Sequence, residues 1–516
     1  MKIVTGKEVI ADECRELLSD ESRYMLGVPE MVCFPQTVED IRTIVLQAAS
    51  TNTPLCMIGG KTGITGGSVP IEDCIALCFA QMSKIRFVRP LPDGNHMLVC
   101  DPGITLHSIE TFCQNPNKWP NPVSDANLLL GHIYFYAPDP TEMSAQLGGT
   151  VATNASGARS FKNGATRVFI EELSMVFSNG DTFTLRRGTN FEKNGLFTFV
   201  TDQGTEFSFK KPGYRFLALK NASGYFSSNN MDLIDLFIGS EGTLAIFSSI
   251  GIRLIPKPRI AAGLSFFPDA QNAFAAASFF RSHPHVLAIE YFDPGALKIL
   301  ENSSDAMSID LPSFPLGKNT AIYWEFAENQ TSSFESELDL WESMLGRFGS
   351  SLESTWSGTT ENEIEKLKTF RHAVPEAINA RIAQYKREYP GIRKISTDCA
   401  LPSQHFESKM AQWGKTIIHS GIEHAIFGHL GDFHLHINLI PHNQEGFDCS
   451  LRIYEEIMQD AIACGGTISA EHGIGKIKTS SLRKMYGNNA IEEMKRIKTS
   501  LDPNWLLNRG NLFDFK

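Results

Sequence analysis

The sequence predicts an α+β chain of two domains, and three observations carry that expectation. At 516 residues the chain exceeds what one hydrophobic core usually holds. As far as Pro256-Lys257-Pro258, short apolar strands are punctuated by three glycine-bearing loops. Beyond that point the glycine loops stop, and strand-like and helix-like patterns alternate as in an antiparallel sheet covered by helices on one face. The expected domains are residues 1–257 and 258–516.

Taken in order, Thr37 followed by Glu39 and Asp40 reads as a helix start, with Val38, Ile41, Ile44, Val45 and Ala48 at helical spacing. A strand over 55–58 then feeds the first special stretch, IGGKTGITGGSVP, with five glycines between Gly59 and Gly67. Glycine lets backbone N–H groups turn together toward an anion, a phosphate above all. The stretch lacks both GxxxxGK[ST] and GxGxxG, so it is neither of the best-known phosphate loops. Further strands are expected around 75–79, 85–88 and 97–100, and an irregular loop over 115–128. The second special stretch, 137–166, joins Pro138 and Pro140 to Gly148, Gly149 and the small residues of VATNASG, where a planar ligand can lie against backbone. EELSMVFSNGDTFTLRRG follows, its Asn179-Gly180 pair signalling a hairpin. The third stretch is DLFIGSEGTLAIFSSIGIRLIPKP. In the second domain GLSFF, VLAIEYF and IYWEF read as strands, and 270–281 and 334–348 as helices.

Composition narrows the function. With 58 acidic and 47 basic side chains the formal charge is −11, which speaks against nucleic acid or an acidic membrane held through a basic field. No stretch has the length of a membrane span, and MKIVTGKEVIADEC carries no signal-peptide pattern, so a cytoplasmic location is expected, with peripheral contact to an inner membrane left open. The ten cysteines form no CxxC pair, which predicts reduced thiols and no iron–sulfur centre. Electron transfer by this chain needs a bound organic cofactor.

The three glycine-bearing stretches together resemble the FAD-binding domain of the vanillyl-alcohol oxidase and p-cresol methylhydroxylase (PCMH) superfamily. That resemblance implies a two-subdomain, PCMH-type fold and non-covalent FAD. It assigns Gly59, Gly60, Thr62, Gly63, Gly66 and Gly67 to the pyrophosphate, and Pro138, Asp139, Thr141, Gly149, Thr153, Asn154, Gly157, Glu241, Gly242 and Ile246 to the rest of FAD. Lys61 stands where a glycine is usual, and Ile58 where an arginine often is.

A second constellation lies in AIFGHLGDFHLHINLI, with His429, Asp432, His434 and His436 in eight positions. On a strand His434, His436 and Asn438 share one face, and Gly431 provides a bend that returns His429 to that side. Glu471 and His472 precede the flexible Gly473 and Gly475 in GGTISAEHGIGKIK. Two imidazoles and one carboxylate suit Zn2+ or another divalent first-row metal with a position open for substrate.

This half resembles the C-terminal domain of the FAD-linked D-lactate, D-2-hydroxyglutarate and glycolate dehydrogenases, whose hallmark is GHxGDGNxH followed by EHGxG. The resemblance implies a metal, zinc foremost, on His429, His436 and Glu471, with His472 as base. It implies Arg371 as the grip on the substrate carboxylate, with Lys394 as a further candidate and Asn438 in the substrate pocket, while His434 stands as a fourth ligand, a partner behind the ligands or part of that pocket. The closing segment at Asn508-Arg509-Gly510-Asn511 stands for the family's NPGK, with Asn508 toward FAD and the C-terminal stretch folded back on the first domain. Phe433 and His434 replace the usual Gly-Asn, and Phe433 is expected to restrict the backbone and to add a large side chain near the metal.

The function so implied is oxidation of a D-2-hydroxy acid, D-lactate-like first, with hydride passing to FAD and onward to a quinone, an electron-transfer flavoprotein or a cytochrome. A homodimer stays open. Three readings compete with it: an alkyl-dihydroxyacetonephosphate synthase-like FAD enzyme, a non-catalytic FAD-binding subunit of a glycolate oxidase-like complex, and a zinc hydrolase.

Overall fold

The computed structural model describes residues 1–138, 142–307, 314–329 and 332–514. Asp139 and Thr141, both assigned to FAD from the sequence, lie outside the described residues.

After a short helix over Lys7–Glu13, the helix Val38–Thr51 starts where expected. Thr37 Oγ1 accepts from Asp40 N, while the Asp40 carboxylate accepts from the backbone of Gln36 and Thr37, so orphan N–H groups at the helix start are satisfied reciprocally. Its buried face is Ile41, Ile44, Val45 and Ala48 of the expected stripe, with Val38 half-buried at the helix start. This helix leads into Leu55–Ile58, which runs parallel to Ile75–Cys78 in a four-stranded sheet and delivers the chain at its C-terminal end to Gly59. A second sheet, six-stranded, runs Ile85–Pro90, His96–Cys100, Ile246–Pro256, Ile170–Val176 and Thr182–Arg186, with Tyr134–Phe135 also on the third of these. The Asn179-Gly180 turn forms, with Gly180 at φ 81°. The stretch expected to be irregular, 115–128, contains the short 3-10 turn Pro116–Lys118 and the start of another, Ala126–Leu129.

The second half is built on one eight-stranded antiparallel sheet. Its order is Thr355–Gly358, Arg259–Phe267, Thr320–Glu328, Val286–Phe292, Glu423–His429, His434–Ile440 and Ile395–Ser396, with Cys399–Ala400 also paired to the His strand. Helices pack on both faces, not on one as the sequence suggested. Phe274 and Phe280 of the Ala270–Ser282 helix lie against Tyr291 and Trp324, and Trp341 of the Leu338–Arg347 helix completes that layer. On the opposite face Phe370, from the Glu361–Tyr385 helix, meets Phe292. The physical reason is the strand text itself: VLAIEYF is buried at every position, as in a strand covered on both sides.

The C-terminal helix Thr479–Leu501 breaks at Gly487 and returns the chain to the first half. Leu55 N donates to Leu506 O at 2.7 Å, and Asn508 N to Leu55 O at 2.8 Å. Lys498, 1% exposed, is held by the carbonyls of Thr243 and Leu507 and by the Asp502 carboxylate, which anchors this return.

Trp341 is fully buried between Trp324, Phe280 and Phe334. Trp341→Ala should lower unfolding stability by about 3–5 kcal/mol, the usual cost of emptying a large aromatic site. Chemical denaturation checks this, and a loss under about 1 kcal/mol would contradict the packing described.

Candidate functional site

Three loops meet at the site. The glycine loop after Ile58, the loop carrying Glu471 and His472, and the closing segment 508–511 are tied by backbone contacts. Thr65 O accepts from Lys476 N and Ile477 N, and Thr65 Oγ1 donates to His472 O. A side chain at Gly475 would begin 2.1 Å from Thr65 O, so only glycine permits this approach. Glu241 is the knot between the halves: its carboxylate, 4% exposed, accepts from Ile474 N at 2.6 Å and Gly475 N at 2.7 Å. Burial pushes its pKa up to about 7 against those two donors. Asn508 bridges Glu241 O and Met57 N, and Asn511 bridges Gly67 O and Glu241 O.

One cavity runs along these loops. Gly59, Gly60, Thr62, Gly63, Gly67, Gly149, Thr153, Glu241, Gly242, Ile246 and Asn508 line it, as do Glu471 and His472. The spaces in front of Gly63 and Gly149 hold no protein atom within 4 Å of where a Cβ would stand, the cradle a cofactor requires. Gly66, Pro138, Asn154 and Gly157 are not in its lining. Gly66 instead spends its N–H on Asp20 Oδ2 at 2.7 Å, Asn154 Oδ1 accepts from Arg167 N, and Gly157 O accepts from Ser160. Lys61 sits at φ 59°, where glycine is comfortable and another residue pays about 1–2 kcal/mol. Its ammonium points to Glu16 O at 2.8 Å.

The histidine cluster stands at the end of this cavity. His429, His434, His436 and Glu471 each bring one ligand-type atom to within 4.8 Å of the others. His429 Nε2 lies 3.1 Å from Glu471 Oε2, and His436 Nε2 3.2 Å from Glu471 Oε1. Burial works against charge on His429, but Glu290 Oε1 at 2.6 Å from Nδ1 overcomes it and lifts the pKa to about 9. Burial and the neighbouring His436 push His434 down to about 3, so its ring is neutral. Two buried atoms facing the centre, His434 Nδ1 and Glu471 Oε2, have no hydrogen-bond partner. Lys220 Nζ is 2.9 Å from Glu471 Oε2, a close ion pair without hydrogen-bond alignment. Orphaned donors converging on one point fit a divalent cation.

Arg371 and Phe433 are placed by packing. Arg371 is buried on the Glu361–Tyr385 helix, its Nε 3.5 Å from Glu290 Oε2, so it adjoins His429 through that carboxylate. Phe433 adopts φ 54°, ψ 38°, the conformation its glycine counterpart would take freely. Its ring rests on Phe406 and under the Arg281 guanidinium at 3.7 Å, away from the histidines. The expectation that Phe433 crowds the metal is therefore corrected. Asn438 turns its amide onto the carbonyls of Ala425 and His436, and no ion pair or hydrogen bond among the described residues joins Lys394 to the cluster.

The residue that sequence reading missed is Asp398. It is 2% exposed and accepts from Ser469 Oγ, Glu471 N, His472 N and Lys478 Nζ. Its Oδ2 is 3.1 Å from His472 Nδ1, and its Oδ1 is 3.0 Å from His434 Nε2. Burial opposes its charge, yet His472 and Lys478 hold its pKa well below the usual range. Lys220 and Glu290 were missed as well. For Glu290 a signal existed, a lone carboxylate inside the apolar run VLAIEYF, which must be paired if buried.

Two family descriptions match the chain. "FAD linked oxidases, C-terminal domain" matches residues 256–512, and "FAD binding domain" matches residues 29–186. The chain belongs to the PCMH-type superfamily of FAD-linked oxidoreductases. It is similar to D-2-hydroxyglutarate dehydrogenase of Stutzerimonas stutzeri, 24% identical over 98% of this chain and 95% of that protein. It is also similar to a probable mitochondrial D-lactate dehydrogenase of Danio rerio, 26% identical over 96% of this chain and 86% of the other. Among solved structures, alkyldihydroxyacetonephosphate synthase shares the fold with a TM-score of 0.61 at 14% identity, over 93% of this chain and 76% of that one. No helix among the described residues is long and apolar enough to cross a membrane.

Asp398→Asn keeps the volume but leaves Lys478 short of its counter-charge. Urea unfolding should show a loss of about 3–5 kcal/mol, the cost of breaking a buried ion pair. A variant as stable as the parent would remove Asp398 from the centre of the site.

Proposed function

We propose that this chain oxidises a D-2-hydroxy acid of D-lactate type to the 2-oxo acid, with non-covalent FAD and a divalent metal, zinc foremost. The observation that carries the reading is the position of His472. It lines the glycine-loop cavity, stacks on His436 with ring centroids 5.3 Å apart, and keeps Nδ1 against Asp398. One histidine thus adjoins both the cofactor cavity and the metal-type cluster.

His429, His436 and Glu471 would hold the metal. When bound, FAD takes the hydride from C2, and the divalent ion acts as a Lewis acid on the hydroxyl. The protein's own residues then orient substrate and move the proton. With Nδ1–H directed to Asp398, His472 Nε2 carries the lone pair that accepts the hydroxyl proton. Asp398 fixes that tautomer and stabilises the imidazolium that results. Arg371 supplies the guanidinium for the substrate carboxylate and orients C2. The electrons leave to an external acceptor, a quinone, electron-transfer flavoprotein or cytochrome, consistent with ten free cysteines and no iron–sulfur motif. A cytoplasmic enzyme, peripheral to a membrane where the acceptor is a quinone, fits this chemistry.

The printed names of the relatives support a hydroxy acid as substrate. The likeness to the synthase is one of fold. A complete donor set speaks for oxidation over a silent FAD-binding subunit.

His472→Ala should retain the flavin absorption band yet reduce flavin bleaching by D-lactate, measured anaerobically, by about 10²–10⁴-fold, the usual worth of a positioned base. Unchanged bleaching would refute the base assignment. Thorough metal removal should abolish bleaching, with Zn2+ restoring it, and activity surviving chelation would take the metal out of the scheme.

A further inference from the structure

We infer that His434 is a fourth protein ligand, through Nδ1, so that this chain holds its metal with three imidazoles and one carboxylate. The inference rests on the metal role proposed above and concerns a residue that the two-histidine pattern does not include.

The argument begins with what lies behind each ring. His429 has Nδ1 on Glu290 at 2.6 Å, and His436 has Nδ1 on Thr397 O at 3.3 Å. In both, an acceptor on the outer nitrogen leaves Nε2 turned to Glu471. His434 shows a looser version with the ring reversed: Nε2 lies 3.0 Å from Asp398 Oδ1, a close contact without hydrogen-bond alignment, and Nδ1 lies 4.0 Å from Glu471 Oε2. Three histidines thus present three inner nitrogens to one point, each backed by a carboxylate or carbonyl.

His434 has no other use for that nitrogen. Its side chain is fully buried, and Nδ1 has no hydrogen-bond partner. Its ring centroid is 4.6 Å from that of His436 and 5.4 Å from that of His429. An ion with ligands at about 2.0–2.2 Å keeps its donors roughly 3–4 Å apart. Donors already within 4.8 Å reach that spacing by small ring rotations.

The fourth ligand has a consequence for the metal. Four protein donors fill a tetrahedral ion, and a catalytic site must keep room for substrate. With four protein donors, room for substrate oxygens would remain only on an ion that accepts more than four ligands, as divalent first-row ions can.

The test uses FAD-loaded protein, stripped of metal and titrated with Zn2+ or Co2+ against a chromophoric chelator. His434→Ala should weaken metal binding by more than about 100-fold, beyond the 10–100-fold that outer-shell partners cost. It should also change the visible Co2+ spectrum, with flavin content and melting temperature reporting that the variant is folded. X-ray absorption at the zinc edge of the unmutated protein needs no variant and should count three imidazoles. Two imidazoles, or a His434→Ala variant with parental affinity and an identical Co2+ spectrum, would overturn the role of His434 and leave the hydroxy acid reading intact. A protein that takes up neither ion at micromolar concentration would overturn both.

Discussion

A single buried carboxylate organises the catalytic half of this protein. Asp398 lies between the short strands Ile395–Ser396 and Cys399–Ala400 and collects the loop that carries Glu471 and His472. A carboxylate removed from water is costly unless its lone pairs are filled, and here backbone N–H groups, a hydroxyl, an ammonium and two imidazoles surround it. The same contacts that make its burial tolerable fix the loop. The imidazole of His472 and the carboxylate of Glu471 are thereby held at the end of the cofactor cavity before any ligand arrives, which is the condition for efficient positioning.

The second constraint is the seam between the halves. Glu241 comes from the third glycine-bearing stretch and accepts from the backbone that follows His472, while Asn508 and Asn511 bind its carbonyl. The glycine loop, the loop carrying Glu471 and His472 and the C-terminal return therefore share one hydrogen-bond network. The cavity and the histidine cluster are two ends of one site, though their residues lie hundreds of positions apart in sequence.

Much of this was legible from local pattern. The helix over 38–51, its capping threonine, the Leu55–Ile58 strand and the Asn179-Gly180 hairpin follow from periodicity and turn chemistry. VLAIEYF was readable as a strand, but its pairing beside Glu423–His429 was not, because register between distant strands is set by tertiary packing. The alternation of His434 and His436 put both imidazoles on one face, as the strand period requires. Asp398, Glu290 and Lys220 stayed hidden because each sits in a segment with no motif and acquires its role only when strands and loops converge. Phe433 shows the converse. A residue that looked disruptive by its size is accommodated because its ring finds Phe406 and Arg281 outside the cluster.

The central claim is that one loop, held by Asp398, joins a flavin cavity to a metal centre. The most direct measurement is a crystal structure of the protein with FAD, zinc and a bound 2-oxo acid such as pyruvate. The account predicts the flavin ring in the cavity beside His472, the ion among His429, His436 and Glu471, and the 2-oxo acid between them. A flavin ring remote from His472, or an ion bound elsewhere with the cluster unchanged, would contradict it.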